Sequence, residues 1–290
     1  MEIRLSAEAV AAGGEHLVQL DGGTYIKKDG SWSRLEGASI DSLLRLSLDE
    51  LRRFLDEKRQ AMTPADGAVI GAPIQSQEVW AAGVTYKRSL EARTDEAVSS
   101  DPYDRVYVAA RPELFFKATA NRVRGHGQEI FIRSDSTWDV PEPELAVVCN
   151  SRMEVVGYTI GNDVSSRSIE GENALYVPQA KVFDGSCALG PAIALAWDYS
   201  PSDRAIELEI SRSDSVVYRN STSTSAMRRQ IPELVDYLAR DQRFDAGCVL
   251  LTGTGIVPPS DFTLQEGDVV TIRIDGIGEL TNPVRRHIAR

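Results

Sequence analysis

The chain has 290 residues, 42% of them hydrophobic and 26% charged, an ordinary globular composition long enough to bury a substantial core. A net charge of −11 argues against nucleic acid, which needs a basic footprint, and leaves room for a small anion held by a few local cations. No apolar run spans a bilayer, no signal-peptide core follows Met1, and three widely spaced cysteines (Cys149, Cys187, Cys248) read as reduced core thiols, so a cytoplasmic protein away from membranes is expected.

Residues 1–66 read as a small N-terminal α+β domain. Segments 17–20 and 24–27 form a hairpin around Asp21-Gly22-Gly23, with a second turn at Asp29-Gly30. Ser47 and Glu50 make a capping box, and Leu48, Leu51, Phe54 and Leu55 stripe a helix running to about Gln60. Residues 63–67 are a linker. Residues 67–290 then read as a β-rich α+β domain, with strands over 79–82, 114–117, 145–149, 155–160, 192–196, 206–211, 248–251 and 269–274. One helix is expected among them, over 232–239, with Pro232 in its first turn. The polar stretch 86–112 is too long for a simple turn and suggests a lid or a partly helical excursion.

The chemistry centres on Glu142, Glu144 and Asp163. Alternate strand positions share a face, so a strand over 140–148 projects both glutamates into one space, where two like charges ask for a cation. Asp163 opens a polar turn after the 155–160 strand, from which a third ligand can reach the pair; an all-oxygen set suits Mg²⁺ or Mn²⁺. The plain alternative is a solvated edge strand, because Pro143 cannot donate to a ladder. Lys181 is a surface lysine on general grounds, although Val182 and Phe183 beside it suggest partial burial. His126 between two glycines reads as a turn residue before it reads as a general base. Thr252-Gly253-Thr254-Gly255 is either an ordinary turn or a cradle of N–H groups for a carboxylate.

The order of motifs carries more than any one of them. Glu-x-Glu at 142–144, Gly-Tyr-x-x-x-Asn-Asp-Val-Ser-x-Arg at 157–167, Lys-x-Phe-Asp at 181–184, Leu-Gly-Pro at 189–191, Thr-Gly-Thr-Gly at 252–255 and a closing Gly-Asp-Val-Val resemble the fumarylacetoacetate hydrolase superfamily over about residues 75–286. The resemblance implies a mixed β-sandwich roll, a homodimer or dimer-based tetramer, and Mg²⁺ (or Mn²⁺) on Glu142, Glu144 and Asp163. It also implies a substrate pocket lined by Thr85, Tyr86, Ser89, Lys181 and Thr254. Ser89 stands where hydrolases and decarboxylases of the superfamily carry the His of their water-activating His/Glu pair, which points away from C–C hydrolysis.

The stretches 111–119, 124–127, 133–136 and 174–179 resemble instead the superfamily's archaeal 2-keto-3-deoxy-D-arabinonate dehydratases. That subgroup implies a hydro-lyase taking a 2-keto-3-deoxypentonate to 2,5-dioxopentanoate in pentose catabolism. Lys181 is then the group expected at the C3 proton, and Glu113, before an apolar strand, the acid for the leaving hydroxyl; the two roles are interchangeable on this reading. Two alternatives stay open: cleavage of an acylpyruvate or 2,4-diketo acid with His126 or Glu91 replacing the missing pair, and a sugar-acid binder without chemistry.

Overall fold

The computed structural model describes residues 7–65, 67–87 and 101–288. The N-terminal part holds β1 (Glu15–Leu20), β2 (Gly23–Lys28), β3 (Ser31–Leu35), α1 (Ile40–Leu43), α2 (Leu48–Lys58) and β4 (Arg59–Ala61). Both the hairpin and the Ser47/Glu50 capping box form as the sequence predicts. Next come β5 (Glu78–Gly83), α3 (Asp101–Val108), β6 (Glu113–Thr119), β7 (Val123–Arg124), β8 (Ile130–Ile132), β9 (Asp139–Val140), β10 (Pro143–Cys149), β11 (Val155–Asp163) and β12 (Ser165–Ser166). The chain continues through α4 (Arg167–Glu172), α5 (Val177–Lys181), β13 (Cys187–Leu195), β14 (Ala205–Arg212), β15 (Ser215–Ser223), α6 (Ile231–Ala239), β16 (Cys248–Leu251), β17 (Val269–Ile274) and β18 (Gly278–Arg286).

The strands make one large sheet, β4-β3-β2-β1-β13-β11-β10-β16-β5-β6, and a five-stranded sheet, β15-β14-β17-β18-β8, with β9 and β12 paired beside them. β7, just beyond β6, pairs in parallel with β13, so the path from β13 through β11, β10, β16, β5 and β6 curls back on itself into a roll. β1 pairs antiparallel with β13, which makes the N-terminal strands a continuation of the same sheet.

Strict alternation along β10 explains the two cores. Leu145, Val147 and Cys149 pack toward the five-stranded sheet with Ile206, Leu208, Val270 and Ile272, whereas Ala146 and Val148 pack the other way with Leu51, Leu55, Val79 and Leu189. A strand apolar on both faces belongs inside a sheet, and β10 lies between β11 and β16. This corrects the edge-strand alternative for Glu142 and Glu144: Pro143 stands at the first residue of an interior strand, where a missing donor is tolerated. α3 falls within 86–112, in keeping with the partly helical excursion read there, but the single helix expected elsewhere is too few, because α4 and α5 form as well. Those two are short, and Gly171 and Pro178 interrupt any apolar stripe, so periodicity carries no signal for them. All three cysteines are buried and free.

Pairing directions decide where the site falls. β10 runs antiparallel to β11 and β16, β16 parallel to β5, and β5 antiparallel to β6. The start of β10, the ends of β11, β16 and β5, and the start of β6 therefore meet at one rim of the roll.

Candidate active site

That rim carries Glu142, Glu144 and Asp163, each buried, with one ligand oxygen apiece mutually within 4.8 Å. Backbone pairing fixes them: Asp163 N–H donates to Glu142 O at 3.0 Å, and Glu144 lies opposite Gly161. A narrow pocket opens over the triad, walled by Ala82, Gly83, Val84, Glu113, Glu170, Lys181 and Thr254 among others.

Lys181, the last residue of α5, is buried and turned inward. Its Nζ donates to Glu142 Oε2 at 2.8 Å, Asp163 Oδ2 at 2.9 Å and Ser165 Oγ at 2.6 Å. Lys181 is thus buried, as Val182 and Phe183 beside it suggest, and not the surface lysine of the general case, since a lysine is buried only where anions receive it. Lys117 of β6, wholly buried, ion-pairs with Asp163 Oδ1 at 2.5 Å while donating to Val164 O and Lys181 O. Arg167 donates to Glu142 Oε1 at 2.7 Å and to Glu170 Oε2 at 3.2 Å. Gly253 N–H donates to Glu144 Oε2 at 2.5 Å, the cradle read as one alternative for the Thr-Gly-Thr-Gly turn.

The carboxylates respond unequally. Burial first, then the charges of Asp163 and Glu142, push Glu144 well above the usual carboxylate range. Burial also acts on Asp163, but Lys117 and Lys181 outweigh it and hold the group below its ordinary value. Four buried carboxylates (Glu142, Glu144, Asp163, Glu170) face three buried cations (Lys117, Lys181, Arg167), an arrangement short of positive charge. Three convergent carboxylates with no His or Cys among them fit a hard divalent cation.

Glu113, the first residue of β6, is half-buried at the pocket wall and leans over Gly83, where a Cβ would come within 2.0 Å of its Oε2. Val84 beside it has φ 52°, strained backbone for a β-branched residue, as occurs at functional sites. Thr254 lines the pocket. Thr85 and Tyr86 stand behind the wall: Thr85 Oγ1 donates to Thr252 O at 2.6 Å, and Tyr86, fully buried, packs under Gly255. Ser89 and Glu91 lie outside the described residues. His126 is buried away from the pocket, its Nδ1 accepting from Thr281 N–H at 3.2 Å. Lys117, Arg167, Ser165 and Glu170 received no role in the sequence reading. The one local signal among them is the spacing of Arg167 and Glu170, i,i+3 neighbours on α4.

A β-sandwich roll with a carboxylate triad at its rim defines a class, and sequence comparison agrees: residues 78–285 match the fumarylacetoacetate (FAA) hydrolase C-terminal family, to which this chain belongs. It is 47% identical over 252 residues, 85% of this chain and 86% of the relative, to the probable 2-keto-3-deoxyxylonate dehydratase of Haloferax volcanii. It is 46% identical over 222 residues, 75% of this chain and 74% of the relative, to the 2-dehydro-3-deoxy-D-arabinonate dehydratase of Saccharolobus solfataricus. A solved 2-keto-3-deoxy-D-arabinonate dehydratase, complexed with magnesium and 2,5-dioxopentanoate, superposes with a TM-score of 0.81 at 36% identity, covering 95% of this chain and 99% of that one.

Proposed function

We propose that this chain is a Mg²⁺-dependent hydro-lyase that eliminates water from a 2-keto-3-deoxypentonate to give 2,5-dioxopentanoate. The observation that carries the reading is the buried triad with Lys181 laid across it, in a chain 46–47% identical to two dehydratases of such acids. Held by Glu142, Glu144 and Asp163, Mg²⁺ (or Mn²⁺) supplies Lewis-acid polarisation of the substrate's 2-keto group.

The remaining work falls to the chain's own groups. Lys181 lines the pocket at the triad and is assigned the C3 proton. Glu113, on the facing wall, is assigned the proton that leaves with the C4 hydroxyl. Loss of water yields a 2-keto-3-ene that still bears the C5 hydroxyl, and moving protons from C5 and its hydroxyl to C3 and C4 completes the C5 aldehyde. More than one proton-handling group is therefore required, and the pocket offers Lys181 and Glu113 with Glu170 beside them. Thr254 contributes to the pocket lining, Thr85 and Tyr86 support the turn behind it, and Ser89 is assigned to the substrate by its place in the motif.

Residues 67–290 carry this chemistry, with 1–66 as the appended unit. A homodimer or dimer-based tetramer follows from the superfamily resemblance, and a cytoplasmic location from the three buried, free cysteines; among the described residues no helix is long and apolar enough to cross a membrane. The test is an assay of purified protein on 2-keto-3-deoxypentonates and acylpyruvates, with and without EDTA. Formation of 2,5-dioxopentanoate, abolished by EDTA, is expected. Pyruvate release from an acylpyruvate without dehydration would select the hydrolase reading, tight binding without turnover a sugar-acid binder, and EDTA-resistant turnover would remove the metal.

A further inference from the structure

Each carboxylate of the triad has one oxygen already engaged by a donor that belongs to the framework. Glu142 Oε1 accepts from Arg167, Glu144 Oε2 accepts from the Gly253 N–H, and Asp163 Oδ1 is ion-paired with Lys117 Nζ at 2.5 Å. None of these donors is a mobile surface group: Arg167 and Lys117 are buried, and Gly253 is backbone. The opposite oxygens of Glu142 and Asp163 are the ones facing Lys181 at the pocket floor. Lys117 does not line the pocket; its Nζ is enclosed by Asp163 Oδ1, Val164 O and Lys181 O, with the Phe183 ring 5.9 Å away. A lysine placed so cannot reach a substrate, yet it joins a triad member to the main chain of the pocket lysine.

We propose that Lys117 is a positioning residue that reserves Asp163 Oδ1, as Arg167 reserves Glu142 Oε1, so that the triad offers single oxygens and discriminates in favour of Mg²⁺ and Mn²⁺ against Ca²⁺. The physical basis is coordination number. Mg²⁺ takes six ligands in a tight octahedron and keeps several waters, whereas Ca²⁺ takes six to eight at longer distances and gains from carboxylates that bind through both oxygens. Locking one oxygen of each carboxylate withholds the two-oxygen mode and penalises the larger ion. The inference rests on the triad being a cation site.

The experiment is calorimetric titration of EDTA-stripped protein with Mg²⁺, Mn²⁺ and Ca²⁺, alongside thermal melts, for wild type, K117M and R167K. The ratio of Kd for Mg²⁺ to Kd for Ca²⁺ is expected to rise at least tenfold in K117M, and in the same direction in R167K, which loses the guanidinium fork to Glu142 and Glu170. Equal loss of affinity for all three ions, with the ratio unchanged, would reduce Lys117 to a structural counter-charge and overturn the proposal. Failure of both variants to fold would overturn it in the same way. Wild-type protein that binds no Mg²⁺ would sink the reading of the triad itself, a different result from an unchanged ratio.

Discussion

Lys181 and Glu113 reach the pocket from different surroundings. Lys181 is buried with three oxygen neighbours within 2.9 Å, and Glu113 is half-buried at the pocket wall over Gly83. Positioned acid–base groups contribute on the order of 10²–10⁴-fold, so K181M and E113Q should each lower kcat on a 2-keto-3-deoxypentonate by that range at saturating Mg²⁺. A variant that turns over at near wild-type rate with metal bound would cancel its assignment. The triad was legible because two glutamates at alternate positions and an aspartate after a strand are unusual together. Lys117, Arg167 and Glu170 were not, because nothing local tells a charged residue bound for the interior from one bound for solvent.

Among elements, the turn after β16 is the most exacting. Gly253 has φ +91°, and a Cβ there would lie 2.0 Å from Thr85 Oγ1, the hydroxyl that ties this turn to the segment after β5. G253A is expected to cost about 1–3 kcal/mol from left-handed backbone strain, before any cost of displacing Thr85. Urea melts check the stability, and a Mg²⁺ titration should show weaker binding because the Gly253 N–H that steadies Glu144 shifts with the turn. Unchanged stability and affinity would mean that the turn relaxes without disturbing its neighbours. Expected strands were found where apolar alternation was long. α4 and α5 escaped because they are six and five residues long and end at the site, where polar groups displace the apolar stripe.

At the scale of the whole molecule, one buried acid away from the pocket opposes folding at neutral pH. Asp139 in β9 is fully buried, with Arg286 at 3.9 Å, and burial raises its carboxyl from 3.8 to about 6 against the pull of Ser136 and Arg286. The folded state therefore binds this proton more tightly than the unfolded state, so stability falls as pH rises from about 4 to 6 and the loss is complete above that window. The shift corresponds to about 3 kcal/mol at neutral pH. D139N removes the ionisation. Its stability relative to wild type should improve by about 2 kcal/mol between roughly pH 4.5 and 7.5 in urea melts. A pH-independent difference would show that Asp139 keeps an ordinary carboxyl.

Local spacing and an ordered set of motifs were enough for the family, the β-rich class, a strand over 140–148 that is apolar on both faces, and the grouping of Glu142, Glu144 and Asp163, whereas the interior place of β10 came from its pairing. Tertiary structure alone decided what surrounds that triad. Lys117 and Asp163 are 46 positions apart and meet because β7 pairs with β13 and closes the roll. Lys181 was singled out in the sequence, but which groups receive it, two carboxylates and a serine hydroxyl, is set by the fold. The physical reason is the same in both cases: a charge is buried only where opposite charge awaits it, and chain closure, which no local pattern encodes, brings those charges together.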